Sequence, residues 1–325
     1  MSMNHSSKQL KTDNKHREIT FIDLFAGIGG FHYAFHNLGA ECVFVSEWDK
    51  YARETYKHNF KKISPKIFEN ENKLFVGDIH KVSDLSEKEM DSAIPDFTIL
   101  TGGFPCQPFS QAGKKLGFDD TRGTLFHEIK KILKVKRPPA YFLENVRNLE
   151  KHNNGETIKI IESEIRKLGY SFFTKVVRAS DFGLPTHRPR LYMVGFKDDP
   201  DNKIEFKFPE PEKHLKKTLS DIFNGKCTYD KEGIRQRDIG YTLRVGGRGS
   251  VITDRRNWEF YWVNGKIHRL TVDEGKEIMG FPEGFNFPNI PEIQKMKQLG
   301  NSVAVDAIQA TAKAIMQHIT ENNII

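Results

Sequence analysis

Two kinds of apolar pattern alternate along the first two-thirds of the chain. Short apolar runs bounded by glycine or polar residues read as buried strands: ITFIDLFAG, CVFVSEW, KLFVGDI, FTILTGG, AYFLENV, YSFFTKVVRA and RLYMVGFK. Between them GGFHYAFHNLG, DKYARETYKHNF, TLFHEIKKILKVK and GETIKIIESEIRKLGY carry apolar residues at helical spacing. Gly39 closes the first of these helices, and Asp49 is placed to cap the second. Strand and helix in turn predict βαβ units. The fold class expected is α/β, with a mostly parallel, doubly wound sheet and helices on both faces.

After Lys197 the texture changes. PDNKIEFKFPEPEKH is charged and broken by proline, and the stretch from Asp230 to Lys266 is rich in arginine, glycine and aromatics. Helical order returns in VDEGKEIMGF and SVAVDAIQATAKAIMQHI. The organisation expected is a polar, disordered leader (1–17), a large domain (18–206 plus 268–325) and a small domain inserted at 207–267.

Composition narrows the class. The chain has 325 residues, 38% of them hydrophobic and 25 of them Phe, enough for a sizeable core. No apolar run approaches the length of a membrane span, and the leader lacks the apolar stretch of a secretory signal, so a soluble, cytoplasmic protein is expected. Cys42, Cys106 and Cys227 are widely spaced with no C-x-x-C pair, which argues against a disulfide framework or structural zinc. The net charge of +7 suits a polyanionic partner without requiring one.

The candidate chemistry gathers where strands end. The first strand runs into DLFAGIGGF, so Gly27, Gly29 and Gly30 form a strand-to-helix turn that lets a cofactor approach the backbone. Glu47 ends the second strand, about 20 residues on, where such folds place an acid for ribose hydroxyls. The spacing is not a clean G-x-G-x-x-G, and Phe25 could stack on adenine, which favours an adenosyl cofactor over a dinucleotide. In LTGGFPCQPFS, Cys106 follows a strand end and is a candidate nucleophile, provided a neighbour generates its thiolate. Glu144 closes AYFLENV as a candidate general acid. Arg188 and Arg190 enter the next strand two residues apart, a spacing that puts both on one face to meet a carboxylate, a carbonyl oxygen or a phosphate. Each has a plainer reading: a tight turn with a surface glutamate, an incidental loop cysteine, a loop salt bridge, surface arginines. His32 and His36, one turn apart with no third ligand, read as a partly exposed helix face and not as a metal site.

Six segments stand in order: DLFAGIGGFHYAF, GGFPCQPFS, FLENV, the R-x-R of HRPRLYMVGF, HRLTVDEGKEIMGFP and KQLGNSVAVDAI. Together they resemble the successive motifs of the DNA cytosine-5 methyltransferases of bacterial restriction–modification systems, over nearly the whole chain except the leader and the variable segment. The resemblance implies a Rossmann-like catalytic domain that uses S-adenosyl-L-methionine, with an inserted target-recognition domain. Cys106 would add to C6 of the target cytosine, Glu144 would contact N3, and Arg190 would contact O2 with Arg188 in support. Phe25 and Trp48 would flank the adenine, Glu47 would hold the ribose, and Asp78 and Ile79 would lie at the adenine edge. Gly27 and Gly30 would line the methionine portion, and Ile28, Pro105, Asn301 and Val303 would complete the pocket. The family's usual Gln is replaced here by Thr186, which puts that position's contact in doubt.

A cytosine inside a duplex hides C6, so the base must be flipped out. The loop from Gln107 to Gly123, with Ser110, Gln111, Lys114 and Arg122, is expected to close over the DNA. In GYTLRVGGRGS, Thr242 matches a family Thr-Leu element at a DNA-facing position, and Arg244 and Arg248 are candidates for base or phosphate contacts, as are Arg255 and Arg256. The partner expected is double-stranded DNA, read at a GG-containing palindrome by a monomer with neither membrane nor metal. A restriction endonuclease would act on the same site without forming a complex. A zinc nucleobase deaminase would need P-C-x-x-C, which PCQPF lacks, and a nicotinamide oxidoreductase leaves Cys106, Glu144 and the arginines without a role. Two rivals remain: a tRNA cytosine-5 methyltransferase, disfavoured by the long variable segment and the missing Cys-Phe-Thr, and a catalytically silent DNA-binding relative, disfavoured by intact Cys106 and Glu144.

Overall fold

The computed structural model of the protein describes residues 18–69, 71–105, 125–199, 201, 203, 205–246 and 249–325. The leader, Cys106 and the loop that follows it, and Arg248 lie outside these residues.

All seven strand-like runs form strands of one sheet: β1 (Thr20–Leu24), β2 (Glu41–Ser46), β3 (Phe75–Val76), β4 (Ile99–Gly103), β5 (Ala140–Val146), β6 (Phe173–Val177) and β7 (Arg190–Phe196). Their order is β3-β2-β1-β4-β5-β7-β6. β1 to β5 run parallel, whereas β7 is antiparallel to both β5 and β6. Strand order reverses between β1 and β4, so a crevice opens at their carboxyl ends, the usual ligand position in such sheets. Because β7 runs the other way, it starts at this same edge, with Arg190 opposite Val146 and Val177.

Residues on the two faces of β1 enter different cores. Phe21 packs with Phe31 and Phe35 of the helix Gly30–His36, while Ile22 and Leu24 pack with Leu100, Phe126 and Ile129 on the other side. Asp49 caps the helix Lys50–Phe60, accepting hydrogen bonds from the amides of Tyr51 (2.9 Å) and Ala52 (3.1 Å). The lysines of the helix Leu125–Lys136 are paired with acids: Lys130 with Glu164, Lys131 with Asp84 and Glu128, Lys134 with Glu87, Lys136 with Asp91 and Asp96.

The histidine pair corrects the expectation of a partly exposed face. His36 is exposed, but His32 is fully buried, bonded to the Tyr56 hydroxyl (2.5 Å) and the Ser64 hydroxyl (2.9 Å) and stacked on Phe60. Burial, with His36 nearby, lowers its pKa to about 3, so the ring is neutral and structural. No cluster of metal-ligating side chains occurs among the described residues, and no described helix is long and apolar enough to cross a membrane.

The variable segment contains a second, antiparallel sheet of β8 (Cys227–Thr228), β9 (Phe260–Val263) and β10 (Lys266–Arg269), in the order β10-β9-β8. β10 runs across the boundary expected after residue 267. Trp258, nearly fully buried, anchors this lobe and donates from its indole to the Gly246 carbonyl (2.9 Å). The chain then returns to the large sheet. The helix Glu292–Asn301 docks on Lys50–Phe60 through Lys297–Asp49 (2.9 Å) and Thr55–Gln298 (2.8 Å), and the helix Val305–Glu321 packs on Gly30–His36.

Candidate active site

The glycine turn after β1 is built around Glu47. One carboxylate oxygen accepts from the Gly27 amide and the other from the Asp49 amide, both at 2.7 Å. The half-buried group has its pKa raised by burial, against the pull of those two amides. Each oxygen keeps a second lone pair, so the carboxylate can shape the turn and still accept a hydroxyl. Space above Gly27 is open, since a methyl group added there would meet nothing within 4 Å. Trp48 stands 74% exposed at the rim, with Arg53 donating to the carbonyls of Glu47 (3.3 Å) and Trp48 (3.2 Å) behind it. Phe25 is partly buried with a left-handed backbone (φ 56°). Asp78 accepts from the His80 amide (3.0 Å) and pairs with its ring, and Ile79 is buried beside it.

Other expected pocket residues sit differently. Ile28 is in the core, so only its backbone can reach a ligand. Gly30 faces protein: a methyl group there would lie 2.5 Å from Val303 Cγ2. Absence of that methyl lets the turn Gly300–Val303 close against the first helix, bringing Val303, buried, and Asn301, exposed, to the pocket from the far end of the chain.

The second group of residues lies at the ends of β4, β5 and β7. Gly103 pairs with Glu144, and Glu144 pairs with Tyr192. The Glu144 carboxylate, 8% exposed, meets Arg190 Nε at 2.8 Å. Burial raises its pKa, while Arg190 and then Arg188 oppose the shift. This is a carboxyl group biased toward its protonated form with a cation already at hand. Beside it the Asn145 side chain donates to the Phe104 carbonyl (2.8 Å), tying β5 to the backbone just before exposed Pro105.

Arg188 does not share the environment of Arg190. It precedes β7 with a left-handed backbone (φ 29°) and is 2% exposed. Its guanidinium donates to the carbonyls of Leu243 (3.0 Å), Gly300 (2.9 Å) and Ser302, which joins the lead-in to β7, the variable segment and the C-terminal turn. Gly300 makes that junction close-packed, since a methyl group there would fall 2.8 Å from the Arg244 carbonyl carbon. Thr186 ties in the same place: it is fully buried and its hydroxyl donates to the Tyr241 carbonyl (3.0 Å). Thr242 follows, half-buried. Arg244 is exposed, donating to the Arg256 carbonyl (2.7 Å). Cys106, Ser110, Gln111, Lys114, Arg122 and Arg248 fall outside the described residues.

The model of the C-5 cytosine-specific DNA methylase family matches residues 19–242 and 238–317. The chain belongs to the C-5 cytosine-specific DNA methylases. Among its relatives, the type II methyltransferase M.HaeII of Haemophilus aegyptius is 41% identical, with 93% of this chain and 94% of the relative covered. M.HhaI of Haemophilus parahaemolyticus is 36% identical, covering 90% and 93%. The structure of S. pombe Dnmt2 shares the fold at a TM-score of 0.67 and 20% identity, over 94% of this chain and 100% of that one. As a member of this family, the protein is a DNA cytosine-5-methyltransferase of the restriction–modification type, and its large sheet is the Rossmann-like fold of those enzymes.

Proposed function

We propose that this DNA cytosine-5-methyltransferase acts on a flipped-out cytosine in a short duplex site, through transient covalent addition of Cys106, with S-adenosyl-L-methionine as donor. The observation that carries the reading is the buried Glu144–Arg190 pair beside the Phe104–Pro105 lead-in to Cys106, across the sheet edge from the Glu47 cradle.

The residues present fit that donor. Open space over Gly27, the spare lone pairs of Glu47 and the unburied faces of Phe25 and Trp48 suit an adenosine with a chain beside the glycine turn. Asp78, Ile79, Pro105, Asn301 and Val303 would complete its enclosure. When bound, the donor supplies an electrophilic methyl group.

The protein's part is to make C5 of cytosine nucleophilic. Addition of the Cys106 sulfur to C6 pushes the C5–C6 double-bond electrons toward C5 and negative charge onto N3 and O2. Glu144, its acid form favoured by burial, gives a proton or hydrogen bond to N3. Arg190, with Nε on Glu144 and Nη1 on the Pro189 carbonyl (3.0 Å), offers its remaining donors to O2. Arg188 supports from behind. Once C5 carries the methyl group, loss of the C5 proton reforms the double bond and expels the cysteine thiolate.

Ser110, Gln111, Lys114 and Arg122 would contact DNA from the loop after Cys106, and Thr242, Arg244 and Arg248 from the recognition lobe. Its role would be protection of host DNA, in a bacterial cytoplasm and alongside an endonuclease for the same site, a reading supported by its likeness to type II methyltransferases.

Incubation with a duplex bearing 5-fluorocytosine at the modified position tests the mechanism, because the C5 fluorine cannot leave as a proton does. A denaturation-resistant protein–DNA adduct is expected, absent in Cys106→Ala. Full turnover by Cys106→Ala would overturn it.

A further inference from the structure

A nearly buried cation with no anion beside it among the described residues lies in the recognition lobe. Arg237 is 5% exposed and sits among three tyrosines, its guanidinium carbon 3.7 Å from the ring centre of Tyr241 and 4.9 Å from those of Tyr229 and Tyr261. Its backbone amide donates to the Cys227 carbonyl (2.9 Å), so the residue is rooted at the small sheet. Among the described residues its side chain makes one hydrogen bond, from Nε to the Ile239 carbonyl (3.2 Å). Among the described residues no carboxylate pairs with it. Asp238 accepts from Gln236 (2.8 Å) and Asp230 from Arg235 (3.3 Å). By contrast Arg235, Arg256 and Arg269 are exposed, and each has an acid, in Asp230, Asp254 and Glu259.

Proteins bury a charge when something compensates it. Tyrosine faces contribute part of that compensation. The terminal nitrogens take no protein acceptor among the described residues, yet they are not among the fully enclosed polar atoms that lack a partner. They therefore open to the surface. That surface belongs to the segment carrying Thr242: Tyr241 packs on the guanidinium, its amide donates to the Tyr261 hydroxyl (3.2 Å), and its carbonyl accepts from Thr186. A planar cation held rigidly on aromatic faces is preorganised for an anionic oxygen.

We propose that Arg237 binds a phosphate of the DNA backbone, held for that contact by Tyr229, Tyr241 and Tyr261, and thereby sets the register of the Thr242 segment on the duplex. The proposal rests on the DNA-binding role of this lobe. A contact of this kind adds affinity for every sequence alike and releases counterions on binding.

The test is equilibrium binding of cognate and non-cognate duplexes across a salt series, with wild type, Arg237→Gln and Arg237→Lys. Arg237→Gln should weaken both duplexes by the same factor, and the slope of log K against log salt should fall by about 0.9, the value for one phosphate. Arg237→Lys should keep the wild-type slope. Duplexes with a single neutral methylphosphonate provide a second reading that a folding defect cannot mimic. One linkage should weaken wild type, and its effect should shrink in whichever variant retains a cooperative melt. An unchanged slope, a loss confined to the cognate duplex, or methylphosphonate effects identical in wild type and variant would each overturn the assignment. A protein that still methylates DNA with an unchanged slope removes only the arginine's role and leaves the proposed function standing.

Discussion

The sheet edge and the small lobe both rely on arginine and use it in opposite ways. At the edge, Arg188 is buried and Arg190 half-buried, and each donor with a partner meets a fixed one: the Glu144 carboxylate and the Pro189 carbonyl for Arg190, three carbonyls for Arg188. In the lobe, Arg244, Arg255 and Arg256 stand in solvent, and Arg256 is held by its neighbour Asp254 (2.7 Å). Low dielectric makes the first set strong and geometrically exact in effect, while water screens the second and leaves it free to adapt to a flexible partner. One region fixes its arginines in place and the other leaves them exposed. Arg237 is the exception, an edge-like environment inside the lobe.

The comparison can be broken by measurement. The largest effect is expected at Glu144. Glu144→Gln should lower the rate of methyl transfer by roughly 10² to 10⁴ while leaving DNA affinity nearly intact. Because burial raises the Glu144 pKa, the wild-type rate should fall as pH rises through that raised value, and this limb should vanish in the variant. A pH profile of single-turnover rates checks both, and an unchanged limb would remove Glu144 from the acid role.

Arg188 comes next, and its effect is on assembly. Arg188→Met strands three buried carbonyls and should cost at least about 3 kcal/mol in urea unfolding, at about 1–3 kcal/mol for each acceptor that stays unpaired. If stability were unchanged and only the rate fell, Arg188 would belong with the reacting groups and not with the scaffold. The smallest effect is expected at Arg256→Ala, which should leave the urea midpoint nearly unchanged because Arg256 is exposed and a surface ion pair contributes little. A clear loss of stability there would erase the contrast between the two regions.

Much of the fold was legible because it is local. Each strand of the large sheet came from a short apolar run, and Asp49 as a cap and Gly39 as a stop act on their own neighbours. Position at the carboxyl edge was equally legible, since a residue that ends a parallel strand must lie there; Glu47 and Glu144 followed from that rule alone. The short helices at Glu87–Ala93 and Glu292–Asn301 were missed, and the second is held by Lys297 and Gln298 reaching to another helix and its cap. His32 was misplaced for a related reason. Its burial depends on Tyr56, Phe60 and Ser64, none of them on its own helix.

The sequence by itself determined which segments are strands and helices, and which chemistry-bearing side chains end them, because propensity, apolar period and strand direction act over a few residues. Only the tertiary structure decided what those side chains meet. The reversed direction of β7 brings Arg190 to Glu144. The carbonyls that take up Arg188 lie 55, 112 and 114 residues away along the chain, and the aromatic cage of Arg237 is drawn from three separate segments. Pairings of that kind arise when distant segments are packed together, and no local pattern records them.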